Sequence, residues 1–143
     1  MSQSSNKFII SMSLINLLPQ TTKQELKKKS LLKVISGLNN FEVQSVTTIA
    51  KAASLGGADL VDIACKPELV ESVIKISSLP ICVSSVEPKQ FKSAVNAGAS
   101  LIEIGNYDTF YSQGITFSAS KVLSLAKETR DLLPNIPLSV TVP

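Results

Sequence analysis

The 143-residue chain has no histidine and only two cysteines, Cys65 and Cys82. Without histidine, Ser-His-Asp and Cys-His nucleophiles, His-ligated zinc and an imidazole proton shuttle are excluded. Two cysteines cannot build a disulfide framework. They sit at strand ends without a set of metal-ligand partners, so both read as small buried residues and no metal is expected. No apolar run reaches the roughly 18 residues of a spanning helix, so integral membrane association is not expected. Neither GxGxxG nor a Walker loop is present, so nucleotide binding through those motifs has no support. Positive charge is scarce outside the start of the chain. Residues 1–33 hold six lysines against one acid, Glu25, whereas residues 34–143 hold eight basic and ten acidic groups. A nucleic-acid binder carries its basic patch across the fold, so no nucleic-acid partner is expected. The cluster of Lys23, Lys27, Lys28, Lys29 and Lys33 reads first as a solvated helix face and second as a patch for an anionic surface.

The apolar share is 44%, enough to bury a core. The length suits one domain of about 100–150 residues. Residues 1–31 read as a basic leader and residues 32–143 as the folded body. The apolar run from Phe8 to Leu18 lacks the strongly basic start and small-residue cleavage site of a secretory signal. The leader is Ser-rich and acid-poor like a transit peptide, but it has no arginine. Thr22-Lys23-Gln24-Glu25 has capping-box spacing and predicts a short helix over Lys23–Lys29 that covers one end of the body.

Beyond Leu31, strand and helix patterns alternate. Strands are expected at Leu32–Ser36, Asp59–Ala64, Pro80–Ser84, Leu101–Ile104 and Leu138–Val142. Between them, Val43, Val46, Ile49, Ala50 and Ala53 recur at helical spacing before Gly56-Gly57. Pro67 and Pro88 suit first helical positions, and Val122, Leu123, Leu125 and Ala126 mark a fourth helix before Pro134. Such alternation implies an α/β fold with parallel strands.

An internal repeat sharpens this. The segment from Lys51 through Gly57-Ala58 to Asp62-Ile63 aligns with that from Lys92 through Gly98-Ala99 to Glu103-Ile104, 41 residues on. By strand parity, Val61, Ile63, Ile102 and Ile104 face helices, while Leu60, Asp62 and Ala64, like Leu101, Glu103 and Gly105, face inward. Asp62 and Glu103 then share one layer. Two readings stand beside each other. Close carboxylates raise one another's pKa and suit acid–base work; alternatively, each makes a salt bridge or hydrogen bond inside the barrel, for example with Lys33.

Repetition on alternate strands points to a (β/α)₈ TIM-barrel type, truncated here to about four and a half βα units. The units average about 26 residues, and eight need roughly 200–250. The alternative is a five-stranded flavodoxin-like doubly wound sheet. A half barrel leaves its first and fifth strands as open edges, a route to self-association. In either fold, ligands meet the loops after the strands' carboxyl ends. Those loops offer Asn39 and Asn40 (either of which suits a cap of the first helix), Lys66, Ser84, Glu87, Asn106, Tyr107 and Asp108. Lys66 stands beside a helix start, where a desolvated lysine forms Schiff bases or binds anions. The last loop holds Tyr107, Phe110, Tyr111 and Phe117 and reads as a lid, a pocket wall or a loop packed on its own aromatics.

Four phrases in order, Val34–Phe41 (VISGLNNF), Ala58–Cys65 (ADLVDIAC), Ser84–Pro88 (SSVEP) and Glu103–Tyr111 (EIGNYDTFY), resemble the hypothetical chloroplast reading frame "Ycf twenty-three" family over residues 32–143. The resemblance implies a (β/α)₈-type fold about twice this body's length, in a plastid stroma or a cyanobacterial cytoplasm. It implies no reaction, cofactor or catalytic residues. The residues themselves point to an enzyme-like barrel mouth, a lyase or isomerase of a small metabolite. Asp62 and Glu103 are expected as its acid–base groups or polar anchors, Lys66 as a third catalytic group or a ligand contact, and Asn39, Asn40, Ser84, Glu87, Asn106, Tyr107 and Asp108 as ligand contacts. The alternatives are a non-catalytic binding or regulatory module, and a truncated product without function of its own.

Overall fold

The computed structural model describes residues 14–142; the start of the Phe8 run and Pro143 lie outside them. Helix α1 spans Gln20–Lys28, β1 Lys33–Ile35, α2 Val43–Leu55, β2 Leu60–Ala64, α3 Pro67–Ile74 and β3 Ile81–Ser84. A 3₁₀ turn over Pro88–Gln90 leads into α4, Phe91–Asn96; β4 is Leu101–Ile104, α5 Asp108–Tyr111, α6 Ala119–Leu132 and β5 Leu138–Val140. All five strands form one parallel sheet in the consecutive order β1-β2-β3-β4-β5. The α/β expectation therefore holds, and each expected strand and body helix is present.

The turns follow from backbone chemistry. Gly57 takes φ +77° just after α2, and Gly98 takes φ +120° after α4, conformations that glycine adopts without a Cβ penalty. Pro67 and Pro88 occupy first-turn positions, where a missing N–H costs nothing. The cap of α2 differs from expectation. Neither Asn39 nor Asn40 caps it; the Glu42 carboxylate accepts from the Gln44 and Ser45 amides instead. Asn40 braces the preceding loop, donating to Ser36 O (3.3 Å) and Ser45 Oγ (3.0 Å). The expected capping box also fails to form. Helix α1 begins three residues earlier than expected, after Pro19, so Thr22 lies within the helix and its hydroxyl is buried.

One face of the sheet carries the core. Val61, Ile63, Ile81, Val83, Ile102 and Ile104 pack with Val46 and Ala50 of α2, Leu69, Val70 and Val73 of α3, Phe91 and Ala94 of α4, and Val122 and Leu125 of α6. Leu123 points outward instead and is exposed. The other face carries Leu60, Asp62, Cys82, Ser84, Leu101 and Glu103, all but Leu101 buried. The parity expectation thus holds on both faces. Helix α1 and the turn before it lie against the strand starts of this second face. There Leu14, Leu18, Thr22 and Leu26 face Leu60, Leu101 and Leu138 across a cavity of about 420 Å³.

Candidate functional site

Lys33 begins β1 on the second face and reaches across β2 and β3. Its Nζ lies 3.1 Å from Asp62 Oδ2 and 2.5 Å from Glu103 Oε2. Asp62 is 1% exposed and Glu103 3%. Desolvating such charges costs several kcal/mol each unless they are paired, and the ammonium supplies the pairing. The two acids therefore do meet, but through a lysine. The Ser84 hydroxyl donates to Asp62 Oδ1 at 2.6 Å, and Asn106 Nδ2 donates to Ser84 Oγ at 3.2 Å. On the other flank the Thr141 hydroxyl donates to Glu103 Oε1 at 3.2 Å. Gly105 makes this flank feasible: a Cβ there would stand 2.5 Å from Thr141 Oγ1 and 2.7 Å from Thr141 Cβ. Asn106 follows at φ +60°, a left-handed conformation that asparagine tolerates, and this aims its amide at Ser84.

The electrostatics follow from burial. Burial raises the Asp62 carboxyl above its ordinary value; the Ser84 hydrogen bond and the Lys33 charge oppose this, and the Glu103 charge adds to it. Burial works against the Lys33 ammonium, but the Glu103 hydrogen bond and the Asp62 charge outweigh it and leave that pKa raised. Lys33 is thus a fixed cation rather than a nucleophilic amine. Cys82 joins the group unannounced by any motif. Its Sγ and the carboxylate oxygens of Asp62 and Glu103 lie within 4.8 Å of one another, a donor set of the kind a cation takes. The expectation that neither cysteine has ligand partners is corrected at this position. Strand register held the signal, because Cys82 pairs with Asp62 on the neighbouring strand. Burial pushes the Cys82 thiol well up, and the charges of Asp62 and Glu103 push the same way. With the Lys33 ammonium already between the acids, the donor set is filled from within the chain.

The other sequence-derived residues are placed differently. Lys66 is exposed beside the start of α3, with its Nζ 5.5 Å from the centre of the Phe41 ring, and it makes no ion pair with either acid. The lysine that meets them is Lys33. Asn39 and Asp108 are exposed, while Glu87 accepts from Gln90 Nε2 at 2.8 Å on the surface. Tyr107 is buried, and its ring lies 4.7 Å from that of Phe117, which also meets Phe110 at 5.4 Å. The aromatic loop therefore packs on itself around α5.

The family described as "Protein of unknown function (DUF561)" matches residues 17–143. The match takes in α1, which the resemblance over residues 32–143 leaves out. A protein named "Uncharacterized protein ycf23" from Cyanophora paradoxa is 58% identical over 119 residues, covering 82% of this chain and 49% of the relative. Its namesakes from Cyanidium caldarium and Antithamnion sp. are 41% and 40% identical, covering 83% and 81% of this chain but 48% and 42% of themselves. The chain thus spans about half the length of the curated relatives it matches.

Proposed function

The chain belongs to the DUF561 family, and on that premise we propose that it is the opening part of a (β/α)₈-type barrel. We further propose that its inner polar cluster performs proton transfer on a small metabolite, as an isomerase or lyase does. The consecutive strand order supports the barrel over the flavodoxin-like order 2-1-3-4-5. The stagger supports it too. Asp62 is in register with Cys82, and Ser84 with Glu103, so Glu103 stands two residues further along two strands away. A shear of eight over eight strands is one residue per strand. That tilt levels Leu60 with Leu101, then Lys33 with Cys82 and Ser139, then Asp62 with Glu103, then Ile35 with Ser84 and Thr141. Each level draws on alternate strands, as barrel interiors do.

One observation carries the chemistry: a protonated lysine held between two buried carboxylates, one with a raised pKa. A carbonyl oxygen placed at Lys33 Nζ has its developing negative charge stabilised by the ammonium. Ionised Asp62, whose Oδ2 has no hydrogen-bond donor aligned on it, takes the proton from the adjacent carbon. On an α-hydroxy carbonyl it returns that proton to the former carbonyl carbon while the hydroxyl proton passes to the former carbonyl oxygen, an isomerisation; with a leaving group β to the carbonyl it keeps the proton while that group departs with its bonding pair, an elimination. Ser84 and Asn106 position Asp62, and Glu103 positions Lys33. The substrate is a small carbonyl compound. Its compartment is a plastid stroma or a cyanobacterial cytoplasm. Among the described residues no helix is long and apolar enough to cross a membrane.

The test is a thermal-shift screen of phosphorylated and carboxylated carbonyl metabolites, with deuterium uptake from solvent read by NMR for each compound that stabilises the chain. Uptake that disappears in Asp62→Asn supports the reading. Uptake and binding that survive both Asp62→Asn and Glu103→Gln refute it. A second reading is favoured by the near-completeness of the network, in which three of the four carboxylate oxygens accept a hydrogen bond and the fourth lies 3.1 Å from the Lys33 ammonium: the cluster is an interior strut and the barrel a non-catalytic binding module. Stabilisation by a metabolite without deuterium uptake is its signature.

A further inference from the structure

We infer that the cavity beneath helix α1 is a second ligand site, and that it takes a medium-chain aliphatic carboxylate with its head on Arg130 and its chain among the leucines. The inference goes beyond the proposed proton transfer and rests on none of that chemistry.

Apolar walls and one uncommitted cation define the cavity. Leu18 and Leu26, from α1 and the turn before it, face Leu60 of β2 and Leu101 of β4. The volume is about 420 Å³. An apolar cavity of ~150 Å³ stays dry and takes one benzene ring, so this one has room for on the order of a dozen carbons. No aromatic side chain is among the lining residues, so the walls offer a flat ring no stacking partner and suit an aliphatic chain.

Three charged residues border the cavity. Lys33 and Glu103 are paired with each other at 2.5 Å. Arg130 is held differently. Its Nη1 donates to the carbonyl oxygens of Leu133 (3.2 Å), Pro134 (3.2 Å) and Ile136 (2.8 Å), which fixes the guanidinium at the end of α6. Its Nη2 and Nε have no acceptor among the described residues, and no carboxylate there pairs with it. A guanidinium stays charged near neutral pH, and its coplanar N–H groups match the two oxygens of a carboxylate. Burial works against this unpaired charge, so an anion placed beside it is held more strongly than at an open surface.

A second observation is independent of Arg130. Thr22 lines the same cavity, is 2% exposed, and its hydroxyl has no hydrogen-bond partner among the described residues. A buried hydroxyl left unpaired is a standing cost, and an oxygen of a bound ligand removes it. A plain hydrocarbon satisfies neither Thr22 nor Arg130, and a wholly polar metabolite sets its polar atoms against leucine.

The full chain is titrated by calorimetry with hexanoate, octanoate, decanoate and dodecanoate below their micelle concentrations, and with decanol and decylamine. Leucine methyl resonances locate the bound molecule. The expected result is one saturable site per chain, methyl shifts centred on Leu26, Leu60 and Leu101, and affinity that rises about three- to fourfold per added CH₂ until the cavity is full. Decanol binds at least about tenfold more weakly than decanoate, and Arg130→Gln weakens decanoate by a similar factor. Thr22→Val weakens it about three- to tenfold without lowering the stability of the unliganded chain. Decanol or decylamine binding as tightly as decanoate overturns the inference. So does a lack of saturable binding, a set of shifts confined to other leucines, or undiminished binding in either variant. Where a variant does not fold, head-group selectivity and methyl shifts in the unaltered chain decide the matter. Decanoate binding without deuterium uptake in any metabolite assay leaves this inference standing and removes the proposed chemistry. Uptake in a chain that does not bind decanoate does the reverse.

Discussion

Replacing Lys33 with methionine isolates the interaction on which the polar cluster depends. Methionine keeps most of the side chain's length and removes the charge. The ammonium that stood 2.5 Å from Glu103 and 3.1 Å from Asp62 is lost, and two carboxylates whose oxygens lie within 4.8 Å of each other remain in the interior. Removing one partner of a buried pair costs roughly 3–5 kcal/mol. The Lys33 side chain is 24% exposed, so the lower end, about 3 kcal/mol, applies. With a urea m-value of about 2 kcal/mol/M, the unfolding midpoint falls by about 1.5 M near neutral pH. The loss depends on pH with a defined sign. Asp62 has a raised pKa in the folded protein, and without the ammonium it rises further. A raised carboxyl favours the folded state below its unfolded value and loses that advantage as pH rises through the folded value. The variant's deficit is therefore largest near neutrality and shrinks to about 1 kcal/mol in mild acid, where one carboxyl protonates and donates to the other. A second change, Asp62→Asn in the Lys33→Met background, removes the repulsion and recovers part of the loss at neutral pH. Urea titrations followed by far-UV circular dichroism at both pH values decide the matter. A neutral-pH loss below about 1 kcal/mol, or one that is the same in acid, refutes a desolvated ion cluster.

Three further outcomes follow from the packing and the burial. Phe91 is fully buried among the strands and helices, so Phe91→Ala lowers stability by about 3–5 kcal/mol in the same urea assay. Gly105→Ala drives a methyl into Thr141 and costs about 1–3 kcal/mol; the companion Gly105→Ala/Thr141→Ala recovers part of that cost by removing the nearest clashing atom, Thr141 Oγ1. Burial raises the Cys65 thiol to about 12 and the Cys82 thiol well above its ordinary value, so neither reacts appreciably with a disulfide reagent near neutral pH until urea unfolds the chain; rapid labelling of the folded protein contradicts the buried placement.

Most of the fold was legible because the burial pattern and the secondary-structure period agree along the body. Val61 and Ile63 alternate with Leu60 and Asp62, and only one parity is apolar enough to meet helices. The same alternation recurs 41 residues later. What was not legible lies at helix starts, where several side chains compete for the same amides. Asn40 and Glu42 both stand beside the first turn of α2, and Glu42 caps it because its carboxylate spans two adjacent amides. In α1 the helix starts after Pro19, which leaves Thr22 too far inside to cap anything.

The candidate site divides along the same line. Parity placed Asp62 and Glu103 on one face, and the expectation that Lys33 could satisfy them inside holds, since its ammonium meets both. Lys66 has the more suggestive position in the sequence, next to a strand end and a helix start. Lys33 has the better geometry, because it opens β1 one strand away from Asp62 with its side chain pointing to the same face. Register decides this, and register depends on strand order, which a single sequence does not fix. Once the order is β1-β2-β3-β4-β5, the rest is forced. Lys33 must reach over Leu60 to the acids, Cys82 must fall beside Asp62, and Ser84 must cap the acid from the next level. A buried charge of each sign on neighbouring strands, each costly without the other, ties the cluster to that strand order.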